Sequence, residues 1–130
     1  HPVIASQPDG VTDGFYTFAQ FDSPTKLNCT REICEWIEKY ESQFGNSPNI
    51  GSAYGYQYMD ITAKAIELAG RDLTTDSFIN ALESIKYYQI PFGDQILSWG
   101  PDKHLGNNDS YLFIVQNGQF IQVDKNEYTY

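Results

Sequence analysis

Cys29 and Cys34 are the residues with the most chemical reach, because a thiol pair can bridge, ligate a metal or attack a substrate. The chain has no other cysteine, and its two histidines, His1 and His104, lie far from the pair in sequence. A zinc site therefore lacks ligands, and a thiol nucleophile lacks its base. A local disulfide or two free thiols remain. The five-residue offset is too long to bridge within regular helix, since the Cα atoms must come within roughly 7 Å, so a bridge requires Cys29 to precede the first helical turn. The acidic run Glu32, Glu35, Glu38 and Glu41 reads as a solvated face, because nothing in it predicts a buried carboxyl of raised pKa. His104 has no partners at ligand spacing and is expected to brace its loop through a hydrogen bond. No nucleophile, base and orienting group recur at a usable spacing, so no catalytic residue, metal site or cofactor is expected. Asn28-Cys29-Thr30 and Asn108-Asp109-Ser110 match the glycosylation tripeptide, a pattern too common by chance to carry weight.

The elements that hold these residues follow from periodicity. Phe15 to Phe21 is aromatic and β-rich, bounded by Asp13-Gly14 and Ser23-Pro24, and predicts a strand buried on at least one face. From about residue 30, Ile33, Ile37, Tyr40 and Phe44 fall on one helical face over 30–44, with Thr30 as cap and Gly45 at the left-handed end. A second helix is expected over 52–69, with Met59, Ala63, Ile66 and Ala69 as its inner stripe, thickened by Tyr58, Ile61, Ala65 and Leu68. So broad an apolar surface predicts the most buried of three helices. Thr74 or Thr75 caps a third over 75–86, with Phe78, Ile79, Leu82 and Ile85 inside. Strands follow at 95–99, 111–116 and 119–123. Asn117-Gly118 joins the last two and favours a tight turn with positive φ at both positions, so 111–123 reads as a hairpin.

Composition narrows the partners. With 8 Lys+Arg against 17 Asp+Glu the formal net charge is −9, which argues against a nucleic-acid partner, since none of the basic stripes that contact phosphates is present. Aromatic residues make up 15% of the chain, too much apolar surface for a disordered segment. No apolar run reaches the roughly 18 residues of a membrane span, and an exported product would have lost its signal before His1. The pattern is α/β, but four visible strands are few for so apolar a second helix, which suggests a fragment.

Five segments, in order, carry a family resemblance: Tyr40 to Pro48, Tyr56 to Gly70, Leu73 to Leu82, Pro91 to Asn107 and Tyr111 to Phe120. They resemble type I periplasmic solute-binding proteins of the leucine/isoleucine/valine-binding family, substrate-binding proteins of ABC transporters. The resemblance implies that 1–130 is a C-terminal fragment of that fold. It would form part of a three-layer αβα lobe, with about three helices, a β-hairpin and two further strands. Residues 13–23 would supply a strand and a hinge crossing, with Phe21, Asp22 and Ser23 as the hinge. Residues 30–123 would supply helices and terminal strands of the lobes. The family places a ligand-contacting side chain just before the second helix, which matches Ala53 or Tyr54 here. A helix amino end offers N–H groups to an anion, and tyrosine offers a flat apolar face with a polar tip. Gln20, on the crossing strand, is a further candidate contact.

The function implied is capture of a small amino-acid-like or aromatic ligand between two lobes, outside the cytoplasm, for the membrane subunits of an ABC importer. The ligand-binding ectodomain of a sensory receptor is the alternative, which a following transmembrane stretch would mark. Alone, 1–130 would leave apolar helix and strand edges uncovered and is expected to self-associate.

Overall fold

The computed structural model describes residues 10–21, 23–27, 29–124, 126, 128 and 129. Among them are three helices, α1 (Arg31–Phe44), α2 (Ile50–Ala69) and α3 (Thr75–Ser84). The strands are β1 (Tyr16–Ala19), β2 (Tyr88–Gln89), β3 (Ile96–Leu97), β4 (Asp109–Gln116), β5 (Gln119–Gln122) and β6 (Tyr128–Thr129). The chain is mixed α/β, and every strand pair is antiparallel. It divides into two compact units, His1–Ala53 with Asp109–Tyr130, and Tyr54–Asn108.

Local chemistry sets the helix ends. The Thr30 hydroxyl accepts the Ile33 N–H, and Gly45 ends α1 in the left-handed region at φ 72°. At α3, Thr74 and Ser77 satisfy each other's backbone N–H in a capping box. That helix stops at Ser84 instead of running to Lys86, because Ile85 turns extended and its carbonyl accepts the Trp99 N–H.

In the first unit β4 is the central strand. It pairs with β1 (Tyr16 opposite Ile114), with β5 (Val115 opposite Phe120) and with β6 at its start. Alternation sends Tyr111, Phe113 and Val115 into the core. The β4–β5 hairpin turns at Asn117 and Gly118, with φ 50° and 76°, as the Asn-Gly pair predicts. Asp13 reaches over from the loop before β1, and its carboxylate accepts the Asn117 N–H at 3.1 Å. Strand β1 is shorter than the aromatic run and more open than expected: Tyr16 and Phe18 lie opposite Ile114 and Leu112 on the outer face and are exposed. Aromatic β-propensity made that run a strand, but did not bury it.

Cys29 and Cys34 form a disulfide with a Cα separation of 5.5 Å. With Thr30 as cap, the two cysteines occupy the N′ and N4 positions, where a hydrophobic staple would otherwise fix the chain entering the helix. The bridge is a covalent form of that staple, and Cys29 precedes the first turn as the geometry requires.

In the second unit the buried stripe of α2 is Gln57, Ile61 and Ala65, continuing the line of Ala53. This corrects the sequence expectation. Met59 and Ile66, read as the inner stripe, are 67% and 42% exposed, and α2 bears more exposed large apolar side chains than α1 or α3. A glutamine on the buried line and apolar residues on the open one reverse the apolar signal. On α3 the buried residue is Ala81, while Ile79, expected inside, is exposed. Strand β2, not anticipated, pairs with β3 (Tyr88 opposite Leu97). The Tyr88 side chain is buried, and its hydroxyl donates to Asp60 on α2 at 2.7 Å. Gly106 packs under Trp99, where an added Cβ would meet the ring at 2.7 Å. His104 braces its loop to α3 through Glu83, at 3.3 Å.

Two outcomes follow from these contacts. A Cys29→Ala/Cys34→Ala variant is expected to lose about 2 kcal/mol, the loop-closure entropy of a short ring, measured as a lower urea midpoint. Tyr88→Phe is expected to cost about 1 to 2 kcal/mol in the same assay, because a hydrogen bond to a carboxylate is lost. Burial first, then the Asp60 hydrogen bond, raise the Tyr88 phenol above its ordinary pKa of 10.0. The stability Tyr88 lends is therefore full below pH 10 and falls as pH rises beyond it, a decline that Tyr88→Phe should flatten.

Candidate functional site

Ala53 and Tyr54, which the family resemblance places just before the second helix, lie inside it, as the fourth and fifth residues of α2, because the helix begins at Ile50. Asn49 is its cap: the side-chain oxygen accepts the N–H groups of Gly51 and Ser52 at 2.8 and 3.2 Å. The Ser52 hydroxyl accepts the Asn49 N–H in return, completing a reciprocal cap. This cap starts α2 at Ile50, two residues before the sequence boundary, and it occupies two of the N–H groups that an anion would otherwise use. Asn49 and Ser52 lie three residues apart at the edge of the helix expected over 52–69, a capping signal legible in the sequence.

The turn is tied to α1 at two consecutive residues. Ser52 Oγ donates to the Tyr40 hydroxyl at 3.0 Å, and Ser47 Oγ donates to Glu41 Oε1 at 2.7 Å. The Tyr40 ring stands in a column with Trp36 and Phe44, at centroid distances of 5.6 and 4.6 Å. Glu41 also receives Lys26 Nζ at 2.6 Å, so its carboxylate joins the segment before α1 to the loop after it. The Lys26 hydrogen bond, then that of Ser47, hold the Glu41 carboxyl below its ordinary pKa, and Glu41 in turn raises Lys26.

Of the expected contacts, Ala53 is 0% exposed, a core residue in this chain. Tyr54 is half-buried and its ring stacks on Tyr58 at 5.9 Å, which leaves it the more accessible of the two. Gln20 follows β1 and is half-buried. Of the hinge residues, Phe21 is 2% exposed and anchored in the core of its unit, Ser23 is half-buried, and Asp22 lies outside the described residues. The cysteines are the predicted pair that the structure brings together. Among the described residues no cluster of His, Cys, Asp or Glu could hold a metal ion, and no helix is long and apolar enough to cross a membrane.

The fold can now be set beside known proteins. The family model for periplasmic binding proteins matches residues 1–119, and the chain belongs to that family. Its members are solute-binding proteins that work outside the cytoplasm and are generally not enzymes. Among solved structures, a branched-chain amino acid ABC transporter protein from Thermus thermophilus, with bound valine, superposes with a TM-score of 0.79 at 15% identity, covering 99% of this chain and 37% of that one. A solute-binding protein of an ABC transporter from Rhodopseudomonas palustris, in complex with 3,4-dihydroxybenzoic acid, gives 0.69 at 19% identity, over 98% and 34%. A leucine-binding protein from Thermotoga maritima gives 0.68 at 17% identity, over 98% and 34%. The chain thus spans about a third of the length of each. Comparison with curated proteins finds no match.

The Glu41 contacts predict a pH response. A carboxyl with a lowered folded pKa contributes stability above its ordinary value of 4.5 and loses it as pH falls through the folded pKa. Followed by carbon NMR, the Glu41 carboxyl is expected to titrate below 4.5, and Lys26→Met should move its midpoint upward.

Proposed function

We propose that this chain is the C-terminal part of an extracytoplasmic solute-binding protein that captures a small amino-acid-like or aromatic ligand between two lobes and presents it to the membrane subunits of an ABC importer. The observation that carries the reading is the family match over residues 1–119. The ligand classes rest on the valine and 3,4-dihydroxybenzoic acid bound by two proteins of the same fold. Both compounds join a carboxylate to an apolar body. The start of α2 suits the apolar body of such a ligand: Tyr54, one turn in from the capped amino end, offers an aromatic face with a polar tip. Ala53, closed off in this chain, serves as packing beneath that turn, and Tyr54 takes the contact role. Within its own unit Gln20 is a candidate contact, and Phe21, Asp22 and Ser23 are the hinge of the crossing about which the lobes close.

A cleft binder gains affinity by surrounding most of a small ligand with preformed contacts from both walls. Calorimetric titration with valine and with 3,4-dihydroxybenzoate is therefore expected to show saturable binding by the full-length product. The isolated 130-residue chain should bind at least about a hundredfold more weakly. Tyr54→Ala in the full-length protein is expected to weaken binding about tenfold with little change in melting temperature. Equal affinity in the isolated chain would place the whole site within residues 1–130 and overturn the two-walled reading.

A further inference from the structure

We propose that Tyr40 is a positioning residue for the ligand-contacting first turn of α2, acting through Ser52; the ligand side of this inference rests on the function proposed above. A hydroxyl has one proton to give. Ser52 Oγ donates to the Tyr40 hydroxyl and accepts the Asn49 N–H, so one hydroxyl joins α1 to the cap of α2. The Tyr40 ring is itself held, because Trp36 and Phe44 flank it one turn away on either side. Its hydroxyl is thus a fixed point presented by α1.

The second tether makes the arrangement a clamp. Glu41, the next residue, holds Ser47, so the segment from Ser47 to Ser52 is fixed near both ends by adjacent positions of one helix. Between them Pro48 is buried, and its ring restricts the backbone further. An α-helix turns about 100° per residue, so a small slip of Ser52 about the helix axis would swing Tyr54 off its direction. One tether alone would still let the turn pivot about it. Two tethers leave the turn one orientation.

A single hydrogen bond at a partly open position adds little to global stability, whereas orientation of a contact side chain acts directly on affinity. This separates positioning from plain structural support. Tyr40→Phe keeps the aromatic column and removes only the acceptor. It is expected to speed amide exchange at Ser52, Ala53 and Tyr54 about fivefold, to leave exchange in α3 unchanged, and to move the melting temperature little. In the full-length protein the same variant should weaken whichever of valine or 3,4-dihydroxybenzoate the wild type binds about fivefold.

Ser52→Ala, which also removes the acceptor of the Asn49 N–H, should show both effects at least as strongly, Ser52→Thr should keep wild-type behaviour, and the double variant Tyr40→Phe/Ser52→Ala should be no worse than Ser52→Ala alone. Unchanged exchange at 52–54 in Tyr40→Phe, or additive losses in the double variant, would overturn the proposal. Should neither compound bind the wild type, the functional reading fails, while the exchange measurements still decide whether Tyr40 positions the turn.

Discussion

The geometry of the first unit depends on α1 having a defined place, and burial alone does not supply it. Among its described residues only Ile37 is buried. A helix of 14 residues is marginal in water without tertiary support, and one isoleucine offers about 2 to 3 kcal/mol of transfer energy. What completes the placement lies at the ends and along one edge. The disulfide staples the first turn, Lys26 reaches Glu41 from the preceding segment, and the Trp36, Tyr40 and Phe44 column stiffens the edge that faces the start of α2. An ion pair as exposed as Lys26 with Glu41 adds little, so the covalent staple carries the larger share.

The second unit works by a different rule. Small residues stand inside it: Ala65 and Ala81 are buried on their helices, and Gly106 lets the Trp99 ring lie against backbone. Its buried polar groups fare differently: the Gln57 side-chain oxygen has no partner among the described residues, whereas the Tyr88 hydroxyl is satisfied. Tyr88 carries its hydroxyl to Asp60, Lys64 lies 5.8 Å from the centre of the same ring, and Lys86 reaches the Trp99 carbonyl. These bonds link α2, β2 and the loop before β4 at separations of 13 to 28 residues, so they fix tertiary arrangement more than any single element.

Legibility in the sequence followed the range of the interaction that decides each feature. Thr30, Gly45, Gly70, Thr74 and the Asn117-Gly118 turn act within a few residues, and each stands where its chemistry placed it. Strands β2 and β6 are two residues long, too short for a local pattern to announce them. The face of α2 was misread for a related reason: hydrophobicity identifies an inner stripe only when the outer one is polar, and here Gln57 is buried while Tyr58 and Met59 are not. The family resemblance could mark the start of α2 as a contact region, but the Tyr40 to Ser52 bond spans 12 residues and two helices, and nothing in either neighbourhood points to the other.

The two helices divide between them the work of setting the start of α2. The cap formed by Asn49 and Ser52 decides where α2 begins, a local matter of satisfying N–H groups, but it leaves open which way the first turn faces. Direction comes from α1, through Tyr40 and Glu41, and α1 takes its own direction from the staple at Cys29 and Cys34. Orientation therefore passes from a covalent bond, through a stiff aromatic edge, to a side chain that touches solvent. That order is physically economical: the bond least able to fluctuate stands at the base of the series, and the hydrogen bonds at its far end keep the most freedom to adjust.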